Sequence, residues 1–153
     1  MSETKLVTKC REQLTVELPN VLLWKICDRM TGGQPDLEIN WNGATSKIEF
    51  KVLHRNETVH DKWEDERQPI TCVRYEQQTG RCWVVAFQQP YPKGERHLAY
   101  TLIYRPTGLL DGKVPAADVS YEMNAAALWE KNVIRLVGFN HHAIAQLIRQ
   151  THI

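Results

Sequence analysis

The sequence predicts an α/β domain in which a mixed β-sheet is flanked by helices. An apolar stripe near the N-terminus has the period of an amphipathic helix, and an Asn42-Gly43 dipeptide between two apolar runs is typical of a β-hairpin. Further along, the order strand, helix, strand between residues 48 and 87 allows a parallel crossover within one sheet. A chain of 153 residues is large enough to bury one core, so we expect a single domain over residues 1–153.

The first predicted element is a helix from Ser2 to about Leu14. Its apolar side chains recur with helical spacing at Leu6, Val7, Cys10 and Leu14. Ser2 is a suitable N-cap, and the carboxylate of Glu3 would interact favourably with the helix dipole. Glu3 also lies on the apolar stripe, and Glu17 joins that stripe if the helix extends further.

The hairpin that follows determines which side chains face one another. After a predicted strand over residues 21–26 and a loop, the chain enters the hairpin near Asp36. A two-residue turn at Asn42-Gly43 sets the register, because both central positions of a type I′ turn need positive φ. Counting back along the two strands then places Asp36 directly opposite Glu49.

Lys51 belongs to the same face as this pair of acids, because it lies two residues beyond Glu49 on the same strand. The intervening apolar side chains point to the other face, toward a core. Two carboxylates that face each other across strands repel, and a divalent cation between them would reverse the sign of the interaction. Mg²⁺ takes oxygen ligands, and such a site with a nearby lysine suits the hydrolysis of phosphodiester bonds.

The same residues carry a family resemblance. Pro35-Asp36 followed by Glu49-Phe50-Lys51 resembles the PD-(D/E)xK motif of the restriction-endonuclease-like nuclease superfamily. Within it, the runs Gly32–Leu37 and Ile48–Lys51 are similar to small virus-type replication-repair nucleases and to archaeal-type Holliday junction resolvases. The resemblance implies a restriction-endonuclease-like core and Mg²⁺-dependent cleavage of branched or duplex DNA, with Mn²⁺ as a substitute for Mg²⁺. It favours an endonuclease, and a homodimer is plausible for an enzyme that cuts two strands.

The resemblance also implies roles for the motif residues. Asp36 and Glu49 would ligate the metal together with the backbone carbonyl of Phe50. Lys51 would position the attacking water and stabilise the charge that develops on the phosphate.

Two further residues enter through the resemblance. Related nucleases commonly carry a glutamate on their first helix that reaches the metal, and Glu3 is the matching position, with Glu17 or neither residue as the alternatives. Gln68 matches a glutamine that these nucleases often carry after the lysine strand, where it would contact substrate. Its neighbour Pro69 is awkward inside a helix, so a plain polar residue that caps the helix is the other interpretation of Gln68.

Three other interpretations of the chain compete with a general nuclease. The hairpin could present a solvated polar face on which Glu49 simply pairs with Lys47 or Lys51. The same scaffold could bind nucleic acid without catalysis, since a fold does not guarantee a chemistry. The chain could also be a Holliday junction resolvase proper.

The remaining predicted elements complete the sheet and its helices. They are a helix from Ile70 to Gln78 that stops at Gly80, a buried strand over Cys82–Phe87, a strand over His97–Tyr104, and helices over Ala117–Glu130 and from His141 to Gln150 with Asn140 as the cap. Four aromatic side chains are candidates for base stacking, although core packing is the commoner use: Trp63, Trp129, Tyr91 and Tyr121.

Cysteine and histidine spacing does not predict a zinc site. The four cysteines (Cys10, Cys27, Cys72 and Cys82) lack a CxxC spacing and are expected to be buried free thiols. The six histidines form no HExxH motif. His54 and His60 follow the strand that carries Glu49 and Lys51; ordinary loop histidines are the commoner interpretation, and contact with substrate is the alternative.

Charge and hydropathy exclude some classes of function. A net charge of +1 fits an enzyme that acts briefly on DNA better than a protein that packages it, even though the region around the site is locally basic. No apolar run reaches the roughly 18–20 residues that a membrane span needs, and the polar start of the chain does not resemble a signal peptide. We therefore expect no membrane partner and a cytoplasmic location.

Overall fold

A computed structural model describes residues 2–26, 35–54, 59–62, 67–89, 99–110 and 132–153. Its elements, in chain order, are α1 (Glu3–Glu17), β1 (Leu22–Lys25), β2 (Leu37–Trp41), β3 (Ala44–Leu53), a 3₁₀ turn (Val59–Lys62), α2 (Arg67–Thr79), β4 (Cys82–Gln88), β5 (Tyr100–Tyr104), α3 (Pro106–Leu110), β6 (Val133–Val137) and α4 (His141–Thr151). Six strands of the described residues form one sheet in the order β1-β2-β3-β4-β5-β6. The chain is therefore α/β, with a mixed sheet flanked by helices.

The β2–β3 hairpin has the predicted turn and register. Asn42 and Gly43 have φ values of 52° and 76°, as a type I′ turn requires. Trp41 pairs with Ala44, and Leu37 pairs with Ile48. One further step away from the turn on each strand therefore places Asp36 beside Glu49. The dipeptide thus predicted the alignment of the two strands correctly.

The sheet is mixed because β3 and β4 run parallel, whereas the other described pairs are antiparallel. Helix α2 makes the connection between them, which confirms the predicted crossover. Consequently β3 lies in the interior of the sheet, between β2 and β4.

Two apolar clusters cover the two faces of the sheet. On one face α1 and α4 pack against residues such as Ile48, Phe50 and Phe87. On the other face α2 packs over β3 and β4, and α3 lies against α2. The odd-numbered residues of β3, among them Glu49 and Lys51, point to this second face.

Most helix boundaries agree with the expectations and two extend beyond them. Helix α1 is capped by Ser2, whose side chain accepts a hydrogen bond from the N–H of Lys5, and it continues to Glu17. Helix α2 begins at Arg67, so Pro69 lies in the first turn, where helix N–H groups have no acceptor within the helix and a missing donor costs nothing. Asn140 caps α4, as predicted.

Some elements differ from the expectations or lie outside the described residues. Strand β5 begins at Tyr100, and both β6 and α3 were not predicted. The buried free thiols are confirmed for Cys10, Cys72 and Cys82. Outside the described part of the chain fall Cys27, the loop over 27–34, residues 97 and 98 of the predicted fifth strand, the helix predicted over 117–130, the side chain of His60, and Trp63, Trp129, Tyr91 and Tyr121. No helix in the described ranges is long and apolar enough to cross a membrane.

Candidate active site

Asp36 and β3 are joined by a hydrogen bond that the hairpin register makes possible. Asp36 comes directly before β2, and its Oδ2 accepts a hydrogen bond of 2.8 Å from the N–H of Phe50. The N–H and C=O of one strand residue point to the same side, so the carbonyl of Phe50 is also directed toward Asp36. The carboxylate of Asp36 and a main-chain oxygen of β3 therefore lie at one edge of the hairpin.

Glu49 and Lys51 are buried, with only 2% and 5% of their surfaces exposed. Their strand is interior, and α2 covers the face to which they point. These two residues are therefore not solvated, although the pairing of Glu49 with Lys51 that the solvated-face interpretation included is present. Lys47, the other proposed partner of Glu49, instead contacts Glu38 at 3.6 Å and Tyr75.

One carboxylate oxygen of Glu49 is paired and the other is not. Oε1 lies 3.3 Å from the ammonium nitrogen of Lys51. Oε2 is buried and has no hydrogen-bond partner among the described residues. An unsatisfied polar atom in a protein interior costs about 1–3 kcal/mol, and native structures contain few of them.

The electrostatic environment makes this carboxyl hard to ionise on its own. The pKa of Glu49 is raised to about 9, first by burial and then by the negative charge of Asp36, while Lys51 acts in the opposite direction. A cation close to both acids would favour the ionised form, since a bound metal is often the largest charge in its site. A cation held between the two acids would therefore relieve the repulsion that raises the pKa of Glu49.

Gln68 lies at the same site and contacts Lys51. Its Oε1 accepts a hydrogen bond of 3.0 Å from the ammonium of Lys51, and its side chain is buried. The doubt raised by Pro69 is removed because α2 already begins at Arg67. The ammonium is thus held between Glu49 and Gln68.

A cleft of about 270 Å³ opens onto these residues. It is lined by Ser2, Glu3, Asp36, Glu49, Lys51, Val52, His54 and Lys62. Acidic groups line one part of the cleft, and His54 and Lys62 add basic groups that the motif does not include. The local excess of basic residues after β3 is the sequence signal that points to them.

Glu3 reaches this cleft and Glu17 does not. Both interpretations of Glu3 fit its position, since it stands in the first turn of α1 and also lines the cleft. Glu17 lies at the other end of α1, about 21 Å away at 1.5 Å per residue. Its carboxylate is engaged by Arg149 at 3.3 Å and by His142 at 2.5 Å. Glu17 is therefore excluded as a ligand of this site.

The donor set fits a hard cation that keeps part of its water shell. The carboxylates of Asp36 and Glu49 and the carbonyl of Phe50 offer oxygen atoms on one side. No group of three His, Cys, Asp or Glu side chains in the described ranges forms a fuller cage. Mg²⁺ is usually held by one or two carboxylates together with waters and substrate phosphates, and this set fits that pattern.

Comparison with known proteins does not assign this site, because neither the protein-family models nor the curated proteins include a match to the chain. The chemistry of the site therefore has to follow from its own residues. They combine two carboxylates, one of which has an unpaired buried oxygen, with the ammonium of Lys51 and a cleft whose lining also includes His54 and Lys62.

Proposed function

We propose that the chain is a Mg²⁺-dependent nuclease that hydrolyses phosphodiester bonds in DNA, on a restriction-endonuclease-like core. The observation that carries the proposal is the buried carboxylate of Glu49, which has an unpartnered oxygen beside Asp36 and Lys51. A structural ion pair would leave no reason for a second acid and an unsatisfied oxygen at the same place.

The residues of the site divide the work in a way that follows from their contacts. Asp36, Glu49 and the carbonyl of Phe50 would hold Mg²⁺, or Mn²⁺ in its place. When bound, the ion supplies Lewis acidity and lowers the pKa of a water molecule. Lys51 is kept in place by Glu49 and Gln68, so its ammonium can orient the attacking water and offset charge on the phosphate.

Basic groups of the cleft support a polyanionic substrate. His54 and Lys62 line the same cavity as the two acids. A phosphate next to the scissile one would meet these side chains, whereas the scissile phosphate would lie over Lys51. The cleft thus offers cationic groups at more than one position along a nucleic-acid backbone.

The test is cleavage of labelled single-stranded, duplex, flapped and four-way DNA with and without Mg²⁺ or Mn²⁺. We expect cleavage only with metal, and we expect Asp36→Asn and Lys51→Ala each to lower it at least 100-fold, because each removes a group that acts on the reacting phosphate. Preference for the four-way substrate would identify a junction resolvase.

A matched control separates the site from the rest of the hairpin. Glu38→Gln changes a carboxylate of β2 that lies two residues from Asp36 and points to the same face. Glu38 pairs with Lys47 and is not among the residues that line the cleft. It should cleave within about twofold of wild type, with circular dichroism unchanged for all three variants. Binding without cleavage in either metal would favour a non-catalytic nucleic-acid-binding domain, and cleavage by Asp36→Asn at the wild-type rate would refute the proposed site.

A further inference from the structure

Two large apolar side chains are exposed on the edge strand beside the cleft. Leu22 and Trp24 of β1 have 53% and 56% of their surfaces exposed. Leu23 of the same strand and Val21, which directly precedes that strand, pack against the core on the side of α1. Because strand side chains alternate, Leu22 and Trp24 point to the opposite face of the sheet.

That opposite face is the one that carries the two acids. Trp24 pairs with Glu38, and Glu38 and Asp36 point to the same side of β2. Helix α2 covers this face over β3 and β4, whereas Trp24 two strands away is left open. The exposed indole and the catalytic cleft therefore share one surface.

Strand register also gives the separation of Trp24 from the site. The N–H of Ile26 donates a hydrogen bond of 2.8 Å to the carbonyl of Asp36, which places these two residues opposite each other. Trp24 is two residues from Ile26, and is thus the diagonal neighbour of Asp36. Diagonal neighbours across antiparallel strands lie about 7–8 Å apart, within reach of an aromatic side chain.

We propose that Trp24 is a stacking platform for an unpaired base of the substrate, so that the enzyme acts on DNA with single-stranded character beside the scissile phosphate. The inference rests on the proposed nuclease function and names its substrate class. A nucleotide whose base lies on Trp24 has its phosphate near Asp36, while Lys51, His54 and Lys62 line the cleft beyond.

The base must be unpaired because of how stacking works. Inside a duplex both faces of a base are covered by its neighbours, so no face is available to an indole. A base in a flap, a junction arm or a single strand can be turned out onto an aromatic side chain, and such stacking tolerates any sequence. Leu22, two residues away on the same face, extends the apolar surface.

A second copy of the chain is the other occupant that an exposed edge strand suggests. Strand β1 is short and ends in an exposed lysine, Lys25, and both features disfavour edge-to-edge pairing. The nearness of Trp24 to Asp36 instead favours an occupant that also has to enter the cleft. Unpaired nucleic acid meets both conditions, with an apolar base and a charged phosphate on one unit.

The first experiment measures binding without cleavage. Asp36→Asn and the double variant Asp36→Asn/Trp24→Ala are titrated by fluorescence anisotropy with a single strand, a flapped duplex and a blunt duplex. We expect the double variant to bind the single strand and the flap with a Kd about five- to 150-fold higher, since each stacked base contributes about 1–3 kcal/mol. The Kd for the blunt duplex should change less than twofold.

The second experiment measures cleavage with an intact metal site. Trp24→Ala should lose at least fivefold in kcat/KM on the flap, Trp24→Phe should restore most of that loss, and Trp24→Leu should not. Val16→Ala is the control, because Val16 is a more exposed apolar residue at 79% but lies on α1 away from the cleft. It should match wild type.

Different experimental outcomes would contradict the stacking role and the proposed nuclease function. The stacking role is wrong if wild type cleaves and Trp24→Ala binds and cleaves the flap as wild type does. It is also wrong if the substitution weakens binding to the blunt duplex as much as binding to the flap. If sedimentation shows that Trp24→Ala dissociates a dimer while its binding per protomer is unchanged, β1 is a protein interface and the proposal is overturned. If wild type shows no metal-dependent cleavage, the proposed function fails, and the binding titration still decides whether Trp24 stacks on DNA.

Discussion

At the scale of single residues, Glu49 combines deep burial, a raised pKa and a carboxylate oxygen without a hydrogen-bond partner among the described residues. Its carboxylate is buried, shares one oxygen with Lys51 and leaves the other unsatisfied beside Asp36. Such a group lowers the stability of the folded protein, and buried groups of this kind cluster at functional sites. Stability measurements can therefore report on this site independently of any nuclease assay.

We expect Glu49→Gln to abolish stabilisation by Mg²⁺. An ion that binds only the folded state stabilises it by about 1.4 kcal/mol at ten times its dissociation constant. The variant keeps the shape of the side chain but loses a charged ligand, so its melting temperature should not respond to Mg²⁺. The response of each protein is measured from its own melting temperature in chelator, because the substitution also removes the charged partner of the buried Lys51 ammonium.

Differential scanning fluorimetry with EDTA and with increasing Mg²⁺ makes this measurement. Glu38→Gln should keep the full response of wild type, since Glu38 pairs with Lys47 outside the cleft. An unchanged Mg²⁺ response in Glu49→Gln would mean that Glu49 does not hold the ion.

At the scale of elements, the β2–β3 hairpin organises the site through its turn. Gly43 has a φ of 76°, and a Cβ added there would meet no other atom within 4 Å. A substitution at this position therefore tests backbone conformation alone, without a steric clash.

We expect Gly43→Ala to lower the free energy of unfolding by about 1–2 kcal/mol, which is the usual cost of the left-handed region for a residue with a Cβ. Gly43→Asn should lose less, because asparagine tolerates that region better. Urea denaturation of both variants measures the difference. Equal losses for alanine and asparagine would show that something other than φ determines the effect.

The register of this hairpin is predictable from the sequence because the residues that determine it are close together in the chain. The turn dipeptide and strand alternation lie within 18 residues, and together they bring Asp36, Glu49 and Lys51 to one face. The burial of Glu49 and Lys51 was not predictable in this way, because it comes from α2, which returns over β3 from later in the chain. Strand β6 was missed because a five-residue apolar run has no distinctive period.

The exposure of Trp24 on the face that carries Asp36 and Glu49 was not predictable from the sequence for a similar reason. The run over residues 21–26 is apolar at every position except Lys25, so alternation does not indicate which of its apolar residues are exposed. Only the pairing of β1 with β2 and the limited reach of α2 leave Trp24 open. The aromatic residues predicted as candidates for stacking were others.

At the scale of the whole molecule, the end of the described chain is tied back to the site hairpin. The imidazole of His152 is buried and its Nδ1 donates to the carbonyl of Trp41 at 2.9 Å. That bond makes Nε2 the acceptor for the hydroxyl of Ser46. Asn42 completes the contact by donating from its amide to the carbonyl of His152 at 2.7 Å.

We expect this contact to make stability fall in mild acid. Burial lowers the pKa of His152, helped by the charge of Arg81 and opposed by the bond to Trp41, so the folded protein holds the neutral ring. The unfolded chain binds a proton near pH 6.5, and the free energy of unfolding therefore decreases as the pH falls from about 7 toward 5. His152→Gln should flatten this slope.

Urea denaturation at several pH values compares the two proteins. His141, whose pKa is also lowered by burial and by Lys9, is present in both, so the difference between the two slopes isolates His152. Parallel curves for the variant and wild type would contradict the assignment.

The parallel crossover through α2 has a consequence for how the site forms in time. A hairpin closes in about 1–10 μs, whereas pairing that spans a crossover is slower because a long loop must be ordered first. Asp36 and Glu49 can therefore meet early, while Gln68 reaches Lys51 only when α2 docks and β4 joins β3. If the two acids hold Mg²⁺ as proposed, affinity for the ion should appear during refolding before the ammonium of Lys51 is fixed between Glu49 and Gln68.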